Sequence, residues 1–386
     1  MIVMQPMIEA FPKKGRSTYR SSRLLHDLLR TGTTTFETRR IMVMRSRRVV
    51  LAVLALLIVG GAAYVAQNLE PSGVKMRAAA ERFLNLLNEE QKQRATFSFT
   101  DQERFNWHFV PLQDEQRKST RKGLPLEAMN AEQRNAALEL LRSATSLDGF
   151  RRATTIMSLE SILRDLEKNG AMVRNPDWYF FSVFGKPGTG RWAWRVEGHH
   201  LSLNFTVEDG KVVSATPLFM GANPATVKEG PRKGLRTLAE SQDRARDLFR
   251  SLTEDQRKQA RIGQHFPEIK ARNQLPDVGK PVGLAASKLT EEQRGLLFDL
   301  LRAYTSSMPA DVAEAEMNGI QEAGLDSIHF AWSGSPEEGQ QHTYRVQGPT
   351  FVAEFLNVQE DSAKNPANHI HACWRSRKND FGLASK

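Results

Sequence analysis

Five of the nine histidines stand where imidazole chemistry could be assembled: His108, His199, His200, His369 and His371. Side chains two apart on a strand leave the same face, so His369 and His371 project together with Cys373 beyond them. On a strand over His199 to Val207, His200 shares a face with Ser202 and Asn204, while His199 joins Leu201, Leu203 and Phe205 in the core. Two imidazoles on one strand face, met by a third histidine and a carboxylate from another strand, suit a divalent transition metal such as zinc, iron, copper or manganese. This reading takes His200, His369 and His371 as metal ligands and Glu354 as a ligand or general base. His108 is a second catalytic candidate, and Arg375, just after the histidine strand, is the candidate for an anionic substrate group. The same side chains also suit acid–base work without a metal, and a His-x-His pair can equally be a structural feature of a polar strand face.

The histidines are positioned by two hairpin-like segments, Trp192 to Gly221 and Tyr344 to Arg375. Aligning Trp194-Arg195-Val196-Glu197-Gly198 on Tyr344-Arg345-Val346-Gln347-Gly348 sets His199-His200 against Pro349-Thr350 and Asn204 against Glu354. Upstream, Leu87-Asn88-Glu89-Glu90-Gln91, Met129-Asn130-Ala131-Glu132-Gln133, Leu252-Thr253-Glu254-Asp255-Gln256 and Leu289-Thr290-Glu291-Glu292-Gln293 share one opening. Each places Asn or Thr three residues before Gln, with acids in the first turn, which is the pattern of a capped helix start. Together with His108-Phe109 and His265-Phe266, these pairs predict an internal duplication. The expected fold class is α+β, each copy being helices followed by an antiparallel sheet. The first copy spans residues 75–223, a Gly-, Pro- and Lys-rich linker 224–237, and the second copy 238–386. In the first, strands are expected at Tyr179 to Phe184, Arg191 to Glu197, His199 to Val207 and Lys211 to Phe219, with Glu208-Asp209-Gly210 as a hairpin turn. The unlike histidines of the two copies would meet where the copies pack together.

The chain has 386 residues, 40% of them apolar, enough for a substantial core. Its formal charge of +10 would suggest a polyanionic partner, but residues 1–48 alone carry eleven Lys/Arg and three Asp/Glu. The rest is nearly neutral, which argues against nucleic acid as a partner. Arg45-Ser46-Arg47-Arg48 leads directly into an uncharged segment at 49–66, the layout of an export signal or of a single membrane-anchoring helix. The expected location is therefore outside the cytoplasm, either secreted or periplasmic, or anchored to the membrane through that helix. One cysteine, Cys373, excludes an intrachain disulfide. Nucleotide-binding loops, the nucleophile elbow of the α/β-hydrolases and the His-Glu-x-x-His helix are all missing. Tyr179, Phe180, Phe181, Trp192 and Trp194 offer a sugar-stacking platform, although alternation sends Trp192 and Trp194 toward the core.

Several of these motifs also carry a resemblance. Arg121-Lys122-Gly123-Leu124, Glu197-Gly198-His199-His200-Leu201, Thr216-Pro217 with Gly221-Ala222-Asn223-Pro224, Gly348-Pro349, Glu354-Phe355 with Asn357, and Asn368-His369-Ile370-His371 with Trp374-Arg375 and Asp380-Phe381-Gly382 are similar to the bacterial and fungal family catalogued as domain of unknown function 3500. The resemblance covers about Lys75 to Gly382. It implies an exported location and carries no activity across. Two functions follow as expectations. One is a metal-dependent enzyme, hydrolase or oxidoreductase, acting on a small-molecule or glycan substrate. The other is a non-catalytic cell-envelope binding protein with structural histidines.

Overall fold

The computed structural model describes residues 70–383 apart from Asn169, and these form one compact unit. The basic segment at 1–48 and the hydrophobic segment at 49–66 lie outside the described residues. Among the described residues no helix is long and apolar enough to cross a membrane.

The first helices are α1 (Ser72–Asn85), α2 (Glu89–Ala95), α3 (Ala131–Ser143) and α4 (Leu147–Leu166). After the first group of strands come α5 (Ala239–Ser251), α6 (Glu254–Ala260), α7 (Glu291–Thr305) and α8 (Ala310–Glu322). All four expected capped starts are present. At α2, α3, α6 and α7 the Asn or Thr side chain accepts from the backbone of the Gln three residues on, and that Gln side chain accepts in return.

The strands are β1 (Thr96–Phe97), β2 (Leu124–Pro125), β3 (Phe180–Phe184), β4 (Arg191–Gly198), β5 (Leu201–Glu208), β6 (Lys211–Ser214), β7 (Leu218–Ala222), β8 (Leu284–Ala285), β9 (His329–Gly334), β10 (His342–Gln347), β11 (Phe351–Gln359) and β12 (His369–Ser376). They build a single sheet in the order β1-β3-β4-β5-β7-β12-β11-β10-β9-β8, with β2 on β3 and β6 on β5. A separate sheet for each copy was expected. Instead β7 pairs antiparallel with β12 through Ile370–Ala222 to Trp374–Leu218, so strands from both sequence halves share one ladder.

Two local expectations also change. Asp209 and Gly210, both at positive φ, form the β5–β6 turn as expected, but the strand predicted over Lys211 to Phe219 is split into β6 and β7. Pro217, which has no N–H for the ladder, lies in the break, and its carbonyl accepts from Asn204 instead. His199 and His200 are not strand residues: they are the two-residue turn between Gly198 and Leu201, which pair across it.

Alternation gives the sheet two unlike faces. Trp194, Leu203, Leu218, Met220, Ala372, Trp374, Phe355 and Tyr344 face the helices and form the main core with Phe83, Leu140, Ile156, Leu248 and Leu300. Each Leu, Ile, Met or Phe among them contributes on the order of 1.5–3 kcal/mol by leaving water. The opposite face carries Phe219, Cys373 and Leu356, which are covered by Trp107, Phe109 and Ile269 from the long loops 98–123 and 261–283. Tyr179, Phe180, Phe181, Trp192 and Trp194 are all at most 3% exposed, so they form no sugar-stacking platform.

Arginines on the loop-covered face hold those loops down. Buried Arg121 and Arg195 are both ion-paired with the Glu197 carboxylate, at 2.9 and 3.3 Å; Arg121 also donates to the carbonyls of His108 and Val110, and Arg195 donates to Glu103. In the other half, Arg345 donates to the Val278 carbonyl.

Candidate metal centre

His369 and His371 stand on one face of β12, as alternation requires. The β11–β12 register slips between Leu356 and Gln359, where three steps on β11 are spanned by two on β12. This bulge re-aims the end of β12 that carries His369. His200 comes from the β4–β5 turn, with a left-handed φ of 61°, a region that non-glycine residues enter at some cost. Hydrogen bonds on both sides fix it there: its N–H donates to the Phe109 carbonyl at 2.8 Å, and its carbonyl accepts from the Gly221 N–H at 2.7 Å. Gly221 pairs with His371 across the β7–β12 ladder. A Cβ at Gly221 would lie 2.8 Å from the His200 ring, so the missing side chain makes the space in which His200 reaches the β12 histidines.

The three rings converge. Nε2 of His200 lies 2.8 Å from Nε2 of His369, and one nitrogen from each of His200, His369 and His371 falls within 4.8 Å of the others. In a tetrahedral site, nitrogens each about 2.1 Å from the metal lie about 3.4 Å from one another. To close on an ion the most widely spaced nitrogens would have to move together by about an ångström or more, and the 2.8 Å pair of His200 and His369 would have to open slightly. Burial, and after it the neighbouring imidazoles, pushes the His200 pKa well below its ordinary value and that of His369 down to about 2. Both rings are therefore neutral, the form that binds metals.

The carboxylate at this cluster is Glu268, from the loop 261–283. Both of its oxygens lie 2.9 Å from His371 Nδ1, which leaves Nε2 for the cluster. A carboxylate behind an imidazole fixes the tautomer and raises ligand basicity at metal sites. Burial pushes the Glu268 carboxyl up, but hydrogen bonds from His371, the Ile269 N–H and Gln359, with the His371 charge, outweigh it and hold the pKa low. His199 stacks on His200 at 3.8 Å and points its Nδ1 at Glu160. The histidines open into a cavity of about 550 Å³ walled by Phe109, Val110, Pro111, Ile269 and Ala271, with Arg174 and Arg272 also lining it.

The other sequence candidates divide. His108 lines the cavity. Burial, and then Arg272 and Arg121, lower its pKa to about 4, and its buried Nδ1 has no hydrogen-bond partner among the described residues. Glu354 and Arg375 do not line the cavity. Glu354 is the cross-strand neighbour of Arg345 and is ion-paired with it at 2.8 Å, so its carboxylate is already neutralised. Arg375, 2% exposed, is held by Asp380 at 2.6 Å and by Asn273, with its guanidinium 5.3 Å from the centre of the Trp107 ring. These contacts use the guanidinium to fasten the loop 261–283. Sequence reasoning missed Glu268, although His265-Phe266, three residues before it, had been matched to His108-Phe109.

Fold and site together define an α+β protein with a largely buried three-histidine cluster that could hold a metal ion. The chain belongs to the family described as protein of unknown function (DUF3500), whose model matches residues 71–383. Comparison with curated proteins and with solved structures finds no match.

Proposed function

We propose that the protein is a metal-dependent enzyme of the exported or membrane-anchored class, with His200, His369 and His371 as ligands and Glu268 orienting His371. The observation that carries this reading is the meeting of neutral imidazoles from a β-turn and a strand more than 160 residues apart in sequence, at the end of an open cavity. A bound transition ion would lower the pKa of water for hydrolysis or cycle its oxidation state in a redox reaction. His108 lines the same cavity and has an unengaged ring nitrogen to hold or pass a proton. The segment at 49–66, uncharged and preceded by arginines, supports the location.

We also infer that the two halves derive from one ancestral unit. Reciprocal capping boxes at α2, α3, α6 and α7 support it, as do the matched two-residue turns His199-His200 and Pro349-Thr350. The metal reading is tested by elemental analysis of the full chain purified without a histidine tag. We expect about one equivalent of a transition metal, and its loss in the double variant His369→Ala/His371→Ala. Metal-free protein whose melting temperature is unchanged by the double substitution would leave the histidines with no metal to hold and end the metal-enzyme reading.

A further inference from the structure

This inference concerns the substrate and rests on the metal reading above. Imidazole binds a metal as an uncharged ligand, so a divalent ion held by three of them would keep most of its positive charge for a ligand entering from the cavity. Most charged side chains around it are already engaged. Arg174 is gripped by both oxygens of Glu167, at 2.7 and 2.9 Å, and Glu160 is taken by His199. Glu268 accepts from His371, Gln359 and the Ile269 N–H.

Arg272 differs. It lines the cavity at a left-handed φ of 58°, and its backbone N–H donates to the Trp107 carbonyl at 3.3 Å, tying one loop to the other. Among the described residues its guanidinium has no hydrogen bond or ion pair. It is exposed at the cavity's edge, and its charge is among the causes that lower the pKa of His108. The remaining wall is largely apolar, through Phe109, Val110, Pro111, Ile269 and Ala271, and a volume of about 550 Å³ is that of a small-molecule site.

We propose that the cavity takes an organic anion, a carboxylate or phosphate carried on an apolar body, and that Arg272 is the substrate-positioning residue that receives the anionic group. A planar guanidinium matches either anion with two parallel hydrogen bonds. The apolar body then lies against the Phe109 and Ile269 wall, where it displaces water.

Calorimetric titration of the full chain, both metal-loaded and chelator-treated, with benzoate, phenyl phosphate and neutral benzamide tests this. Benzoate or phenyl phosphate should bind at least about tenfold more tightly than benzamide; which of the two does so identifies the anion class. Arg272→Gln should weaken anion binding about tenfold and leave benzamide binding and metal content unchanged, and Arg272→Lys should recover part of the loss. Equal affinity for benzamide, or anion binding indifferent to Arg272→Gln, overturns the proposal; in the second case the anion is held by the ion alone. If the full chain holds no metal, anion binding that still falls in Arg272→Gln keeps the Arg272 assignment while the metal reading fails. The absence of anion binding in both preparations overturns the proposal whatever the metal content.

Discussion

Glu268 contacts the histidine cluster through His371 Nδ1, so its effect on that cluster can be separated from loss of a histidine ligand. Glu268→Gln keeps an oxygen that accepts from His371 Nδ1 but removes the negative charge that raises imidazole basicity. Metal affinity should drop on the order of 10–100-fold with the melting temperature of the metal-free protein nearly unchanged, because the Glu268 side chain is 43% exposed. Competition against a fluorescent chelator, with a melting curve of each metal-free variant, checks both halves, and an unchanged metal affinity would remove Glu268 from the site. This residue was illegible in the sequence for a physical reason. It lies on a loop, and where a loop crosses a sheet is decided by anchors such as Arg345 and Arg375, not by local periodicity. Glu354, by contrast, could have been judged from the sequence. The hairpin alignment that singled it out also places Arg345 directly across the turn, and a carboxylate facing an arginine at cross-strand distance is consumed as an ion pair.

At the level of elements, the helix starts were the most legible part of the chain, because capping is local chemistry written within four residues. The structure adds a contact that no local pattern shows, since the capping glutamines meet in pairs. The Gln91 and Gln133 amides exchange hydrogen bonds at 3.0 and 2.8 Å, and Gln256 and Gln293 do so at 2.9 and 3.0 Å. Each pair locks a short helix to a long one. Gln133, 6% exposed, also donates to the Leu86 carbonyl. Gln133→Ala should therefore cost about 1–3 kcal/mol, from the lost cap and the unsatisfied amide left on Gln91. Gln293→Ala should behave alike. Urea unfolding of each variant measures the effect, and a cost below about 0.5 kcal/mol would mean that the pairs contribute little. The histidine turn was harder to read. His199-His200 continues the apolar alternation of Leu201, Leu203 and Phe205, so periodicity extends the strand through it. The reversal is closed within the β4–β5 hairpin, where Gly198 pairs with Leu201, and the space for His200 is left by Gly221 on β7, whose pairing with the distant β12 has no local signal.

Across the whole molecule, the decisive pairing is β7 with β12, which joins residues about 150 apart and has no local sequence signature. Two repeats, each with its own sheet, were expected from the sequence; strands of both sequence halves instead share one sheet, and this junction puts Gly221 beside His371. The helical layer is fastened across the same line. Ser146 donates its N–H to the Ser307 carbonyl at 3.1 Å, and a Cβ on Gly149 would lie only 2.1 Å from that oxygen. The Ser72 N–H donates to Asp311 at 2.9 Å. A fragment ending at residue 237 would leave β7 as an open edge, with Leu218, Met220 and Ala222 stripped of their β12 neighbours and the helix contacts broken. Residues 70–383 should therefore unfold in one cooperative transition, with far-ultraviolet dichroism and tryptophan fluorescence coinciding. Both signals would report the whole fold, because buried tryptophans occur in both halves, at Trp192 and Trp194 and at Trp332 and Trp374. Residues 70–237 alone should show no cooperative transition and should aggregate through the exposed edge. Two separated transitions, or a folded fragment with its own melting temperature, would make the halves independent domains. The histidine cluster would then be an interface between domains, and its geometry would depend on how they dock.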